Sequence, residues 1–179
     1  ILLTAALIAG APVFKNPLRE EETAALFMLR AERAKAGILP SLLAHRGRFP
    51  VVPSVTAAIE YHFWRNNIFG TRLTALLLHA LVAWALYRLL RVWRFSSRAA
   101  LIAGVIFLIH PLNSGTLENL FFQGELTGSI CAFLALISLT KYFQNRWRGK
   151  PGLLVSGLFF ITALLSSPEF IILPLFIVI

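Results

Sequence analysis

The chain has 179 residues, 58% of them hydrophobic and 14% charged, with a mean hydropathy of +0.74 and a formal net charge of +9. Soluble globular chains carry about 25% charged residues, so an ordinary water-solvated domain is excluded, and with it disorder, coiled coil and collagen. Seventeen Lys and Arg stand against eight acids, every one of them glutamate; in so apolar a chain a cationic excess points to loops beside a membrane rather than to nucleic acid, since no basic stripe lies on a soluble element.

Stretches without charge place the elements, because a charged side chain at the bilayer centre costs about 2.5 to 3.5 kcal/mol even on lenient scales. These windows run from 1 to 14, 73 to 87, 99 to 117, 126 to 140, 151 to 168 and 170 to the end. A spanning helix needs about 20 residues, with a lower limit near 17. The two windows of 15 residues qualify once Arg72, Arg88 and Lys141 snorkel outward. The expected fold is all-α: a polytopic transmembrane helix bundle in one membrane domain over 1–179, with about six spans, the first and last cut by the chain ends. Residues 1–14 form a partial span, 15–69 an extracytoplasmic loop with interfacial helices, and 70–179 the transmembrane bundle. The sequence opens on Ile1 and stops inside the apolar run Phe170–Ile179, which reads as part of a longer chain.

In the first loop, residues 20–35 carry Glu in the first turns and Arg or Lys in the last, which suits a helix dipole. Its crowded apolar residues suit an interfacial helix. A Gly- and Pro-rich stretch from Gly37 to Pro53 follows. Ser54 to Trp64 then predicts a second short helix near the membrane surface, ended by Asn66, Asn67 and Gly70. Orientation follows from the short loops: Arg88, Arg91, Arg94 and Arg98 flank one, Lys141, Arg146, Arg148 and Lys150 fill another, and cations hold such loops in the cytoplasm. The first loop is then outside, and the inner membrane of a bacterium is the expected location. Small residues Gly124, Gly128 and Ala132, spaced by four, predict a helix face that needs a neighbour.

Chemistry concentrates in the extracytoplasmic stretch HPLNSGTLENLFFQGEL, His110 to Leu126. Pro111 breaks the span that His110 closes, and Asn113, Glu118, Asn119, Gln123 and Glu125 follow at the membrane surface, where polar clusters commonly have a task. Arg46, Arg48 and Arg72 suit a lipid phosphate. His45, His62 and His79 have no spacing of three or four, so no helical metal pair arises, and the lone Cys131 allows no internal disulfide.

The order of these features resembles a family. GTRLTALLLHALVAWALYRLLR from Gly70, LIHPL ending at Leu112, Asn119 and Glu125 before a span, and SSPEFIILP ending at Pro174 are similar to the multispanning GT-C class of glycosyltransferases, closest to the O-mannosyltransferase-like membrane proteins that carry tetratricopeptide repeats. The resemblance implies a GT-C-like bundle, a polyprenyl-phosphate sugar donor, and acidic residues of the first loop at the acceptor, often with a divalent metal. It places Glu21 and Glu22 as candidate catalytic residues of an active enzyme, and Arg48, Arg72, His79, His110, Glu118, Asn119, Glu125 and Glu169 as candidate substrate-binding residues.

Several positions depart from that pattern. The family usually has paired Asp in the first loop, and this chain has only Glu20, Glu21 and Glu22 there; the extra methylene shifts the carboxylate by an amount that can cost about a hundredfold in rate. Arg72 and Ala75 stand where His and Asn are usual, although His79 is kept. Gly115 replaces an acid, Gln123 an Arg, and Pro168 a Lys beside Glu169. An apolar skeleton retained while working polar positions are lost is the pattern of a fold kept without its reaction. The expectation is a non-catalytic GT-C-like protein, a scaffold or accessory subunit of a larger membrane complex, for example respiratory or photosynthetic, in contact with lipid and other membrane subunits and with no cofactor identified; the alternative is an active transferase using the lipid-linked sugar and a divalent metal.

Overall fold

A computed structural model describes residues 1–2, 4–6, 51–64, 67–110, 123–144 and 150–177. The described residues are helical, with no strand among them. In chain order they form α1 (Val51–Trp64), α2 (Ile68–Val92), α3 (Ser97–Ile109), α4 (Gln123–Phe143), α5 (Lys150–Ser166) and a 3-10 helix, Pro168–Ile177.

Local chemistry sets most of the boundaries. Pro53 lies in the first turn of α1, where its missing N–H costs nothing. Asn67 caps α2, its side chain accepting from the amides of Phe69 at 3.1 Å and Gly70 at 3.4 Å, and Ser96 caps α3 through the amide of Ala99 at 3.1 Å. Helix α4 has Glu125 in its first turn and Lys141 in its last, matching both ends of its dipole. α3 stops at His110, in extended backbone, as the following Pro111 requires. α1 ends at Trp64 as expected but begins three residues earlier than expected, at Val51; Gly70, expected as part of the stop, lies instead inside the first turn of α2. The reason is steric, since the Trp64 ring occupies the space a Cβ would need there.

The turn from α2 to α3 is a complete Schellman closure. The amide of Phe95 donates to Leu90 O at 3.0 Å and that of Arg94 to Arg91 O at 3.2 Å, with Arg94 in the left-handed region at φ 66°. Glycine ordinarily takes that place, and a side chain there costs about 1 to 2 kcal/mol.

Two sets of contacts give the direction of the helices. Gln123 at the start of α4 bonds Thr71 at the start of α2, while at the far ends Trp93 Nε1 donates to Thr140 Oγ1 at 3.2 Å and Gln144 Nε2 to Val92 O at 3.2 Å. α2 and α4 therefore run parallel. α3 returns along α2 and α5 along α4, so the contacts arrange a row α3–α2–α4–α5, with α1 touching α2, α4 and α5.

Alanine makes the close approaches. One cluster joins Ala75, Leu76 and Ala83 of α2 to Leu108 of α3 and Ala6, with Leu2 and Ala5 packed beside it; a second joins Ala132 of α4 to Ala163 of α5, edged by Cys131, Phe160 and Phe170. Ser156 adds a buried hydrogen bond from its hydroxyl to Ala135 O at 3.0 Å. The neighbour expected for the small-residue face comes from this chain itself: a Cβ on Gly124 would meet Pro53 of α1, and one on Gly128 would meet Phe170 and Ser166.

Two helices, Phe69–Val92 and Gln123–Phe143, are long and apolar enough to cross a membrane; Ser97–Ile109 and Gly152–Ser166 are apolar but shorter. The outer surface carries large apolar side chains at helical spacing, including Leu77, Leu81 and Trp84 on α2, Ile102, Ile106 and Ile109 on α3, and Leu154, Leu158, Ile161 and Leu165 on α5. Water would solvate such rows poorly, and hydrocarbon accepts them without cost.

Candidate functional site

The parallel alignment of α2 and α4 puts their N-terminal ends side by side, and this head of the row collects the polar residues. Arg72 occupies the second turn of α2, Gln123 and Glu125 open α4, and Glu169 begins the 3-10 helix. His110 reaches the same end because α3 runs back along α2. α1 lies across the head, its Pro53 against Gly124 of α4 and its Trp64 over Gly70 of α2. Trp64 Nε1 also donates to Thr74 Oγ1 at 3.0 Å, which fixes the helix against the bundle.

Two layers follow. The inner one is buried: Glu60 is 4% exposed, Thr71 0%, Arg72 8% and Gln123 5%. Its Gln123 amide donates to Thr71 O at 3.4 Å, crossing from α4 to α2. In the outer layer Glu125 is half-buried and Glu169 exposed, within Coulombic reach of one another. Phe170 and Ser166 against Gly128, one turn below Glu125, hold that approach in place.

The helix directions put Arg72, His110, Glu125 and Glu169 at the same end of the row, and of these Glu125 and Glu169 are within electrostatic reach of one another. His79 is elsewhere. It lies seven residues after Arg72 on α2, about 10 Å further down the helix, fully buried and stacked on Phe107 with ring centroids 5.1 Å apart. The Leu108 main chain lies beside it, yet neither ring nitrogen makes a hydrogen bond among the described residues. Glu21, Glu22, Arg48, Glu118 and Asn119 lie outside the described residues. Sequence reasoning missed Glu60. The signal was there, since it is the sole carboxylate in an otherwise apolar α1.

Among the described residues no three His, Cys or acidic side chains are grouped to hold a metal ion.

Comparison with known proteins adds one distant relationship. No family model matches the chain, and no solved structure does. A stretch of 77 residues, 43% of this chain, is 27% identical to Protein O-mannosyl-transferase Tmtc1 of Drosophila melanogaster. The matched stretch spans only 9% of the length of that protein. This is a distant GT-C-like link. It agrees with the apolar character of the helices.

Proposed function

We propose that the chain is a membrane-embedded, non-catalytic protein of GT-C-like design that serves as a scaffold or accessory subunit of a larger membrane complex. The observation that carries this reading is Gln123. It stands where the resembling family has an arginine, and its amide is spent on the Thr71 carbonyl of the neighbouring helix rather than held toward a substrate. A buried hydrogen bond of this kind ties two helices together in a membrane. The rows of exposed Leu and Ile on α2, α3 and α5 supply apolar area to lipid and to neighbouring subunits. The reading includes about six spans, a first loop outside, and a bacterial inner membrane.

Gentle detergent extraction tests it: discrete protein partners should copurify in fixed ratio, and membranes supplied with a polyprenyl-phosphate sugar should show no transfer above background. A lone species with transfer lost on Glu21→Gln and Glu22→Gln would sink the proposal.

A second reading is favoured by the pair Glu125 and Glu169. In an active transferase one carboxylate would take the proton of the acceptor hydroxyl, and Arg72 or Arg48 would stabilise the departing lipid phosphate. Glu125→Gln or Glu169→Gln, whichever removes that base, would then lower transfer by about a hundredfold or more. Transfer that persists in both variants rules this arrangement out.

A further inference from the structure

The opposite end of α2 presents a different surface. Arg88, Arg91, Arg94 and Arg98 are exposed where α2 turns into α3, and Lys141 lies near the matching end of α4. The described acids, Glu60, Glu125 and Glu169, belong to the head at the other end, so the protein provides no nearby carboxylate among the described residues. One of the four arginines has a structural task. Arg91 Nη1 donates to Phe95 O at 2.7 Å, closing the helix terminus and complementing its dipole. Arg88, Arg94 and Arg98 are left facing outward.

Aromatic side chains surround them. Trp84 is 47% exposed, with the Arg88 guanidinium 5.8 Å above its ring, and Trp93 and Phe95 are 42% and 50% exposed. Amphipathic rings settle at the headgroup level of a bilayer. The turn is fastened at several points: Trp93 to Thr140, Gln144 to Val92, and the Tyr87 and Ser97 hydroxyls to each other at 3.3 Å. Such fastening lowers the ordering cost of binding. Most telling is Arg94. It holds the left-handed backbone position that a glycine would fill without strain, and strain kept at an exposed tip points to a use for the side chain.

We propose that the α2–α3 turn is a docking site for an anionic phospholipid of the bilayer leaflet it faces, the headgroup phosphate taken by Arg88, Arg94 and Arg98 and the upper acyl chains lying against Trp84, Trp93 and Phe95. Arginine suits this ligand because its planar donor fork matches phosphate oxygens. The proposal requires α2 to cross a bilayer and is independent of whether the protein is a scaffold or an enzyme.

The test reconstitutes the chain in phosphatidylcholine vesicles, with Trp64 and Trp147 replaced by Phe so that Trp84 and Trp93 supply the fluorescence. A minor fraction of phosphatidylglycerol brominated on its acyl chains should quench about fivefold more effectively than the same fraction of brominated phosphatidylcholine, the selectivity of one arginine near an anionic surface. The triple variant R88Q/R94Q/R98Q should bring the ratio to one, while R146Q/R148Q/K150Q keeps it. Arg94→Gly removes charge and strain together, so it should lower the preference while raising thermal stability, a combination that misfolding cannot produce. Equal quenching by both lipids, a preference that survives the triple variant, or equal loss in the control triple would overturn the proposal. Displacement by inorganic phosphate would also overturn it, by assigning the arginines to a soluble anion.

Discussion

The two ends of the α2–α4 pair handle polarity in opposite ways. At the head, Glu60, Thr71, Arg72 and Gln123 are buried, and the helices are joined by an amide reaching a main-chain carbonyl. At the foot, the arginines are exposed, and the joining bonds run from the exposed Trp93 indole and the half-buried Gln144 amide. A polar group withdrawn from water must find its partner inside the protein or carry a desolvation cost. An exposed group has water and headgroups available instead. The head is therefore where a single substitution disturbs the fold, and the foot is where it disturbs contact with the surroundings.

Four substitutions and one matched control can break or sharpen that contrast. Gly128→Leu drives a side chain into Phe170 and Ser166 and should destabilise the head by about 3 kcal/mol, read by detergent-induced unfolding; Gly157→Leu, where a Cβ meets nothing within 4 Å, is the matched control and should leave stability unchanged. Between the two ends, His79→Leu should raise stability by about 1 kcal/mol, because it removes an imidazole without hydrogen bonds from an apolar site. A loss of similar size would show that the ring has a partner or ligand. Gln123→Leu should cost about 0.6 kcal/mol, the average of hydrogen bonds between membrane helices. Trp93→Phe should cost less than about 0.5 kcal/mol, since its lost bond is replaced by water; if the foot variant cost more than the head variant, the contrast drawn between the ends would fail.

Much of the fold was legible because hydrophobicity acts locally. The helices Phe69–Val92 and Gln123–Phe143 follow from their uncharged windows, and the stop at His110 follows from the proline after it. The window at 99–117 was a less faithful guide than that at 151–168: the described helices there have 13 and 17 residues, because an absence of charge permits a helix without specifying where its hydrogen bonds end. The role of Gly70 was misread for a related reason. Glycine beside two asparagines looks like a terminus, and only the approach of the Trp64 ring gives it another purpose. Arg72, His110, Glu125 and Glu169 could be named from motif order, but that they share one end of the row required knowing that α2 and α4 are parallel. Glu60 was overlooked because burial of a carboxylate depends on what lies across it, not on its neighbours in the chain.

From the sequence alone came the helical class, the apolar character, the ends marked by proline and capping residues, and the placing of cations and acids in different segments. These depend on interactions within a few residues or on transfer of side chains between phases. The tertiary structure alone decided that the small-residue face of α4 is filled by Pro53, Phe170 and Ser166, that Glu125 lies within electrostatic reach of Glu169, and that an arginine rather than a glycine closes α2 in the left-handed region. Each of the first two joins residues distant in the chain, and the third sets a backbone strain against contacts around it; such balances exist only once the helices have packed.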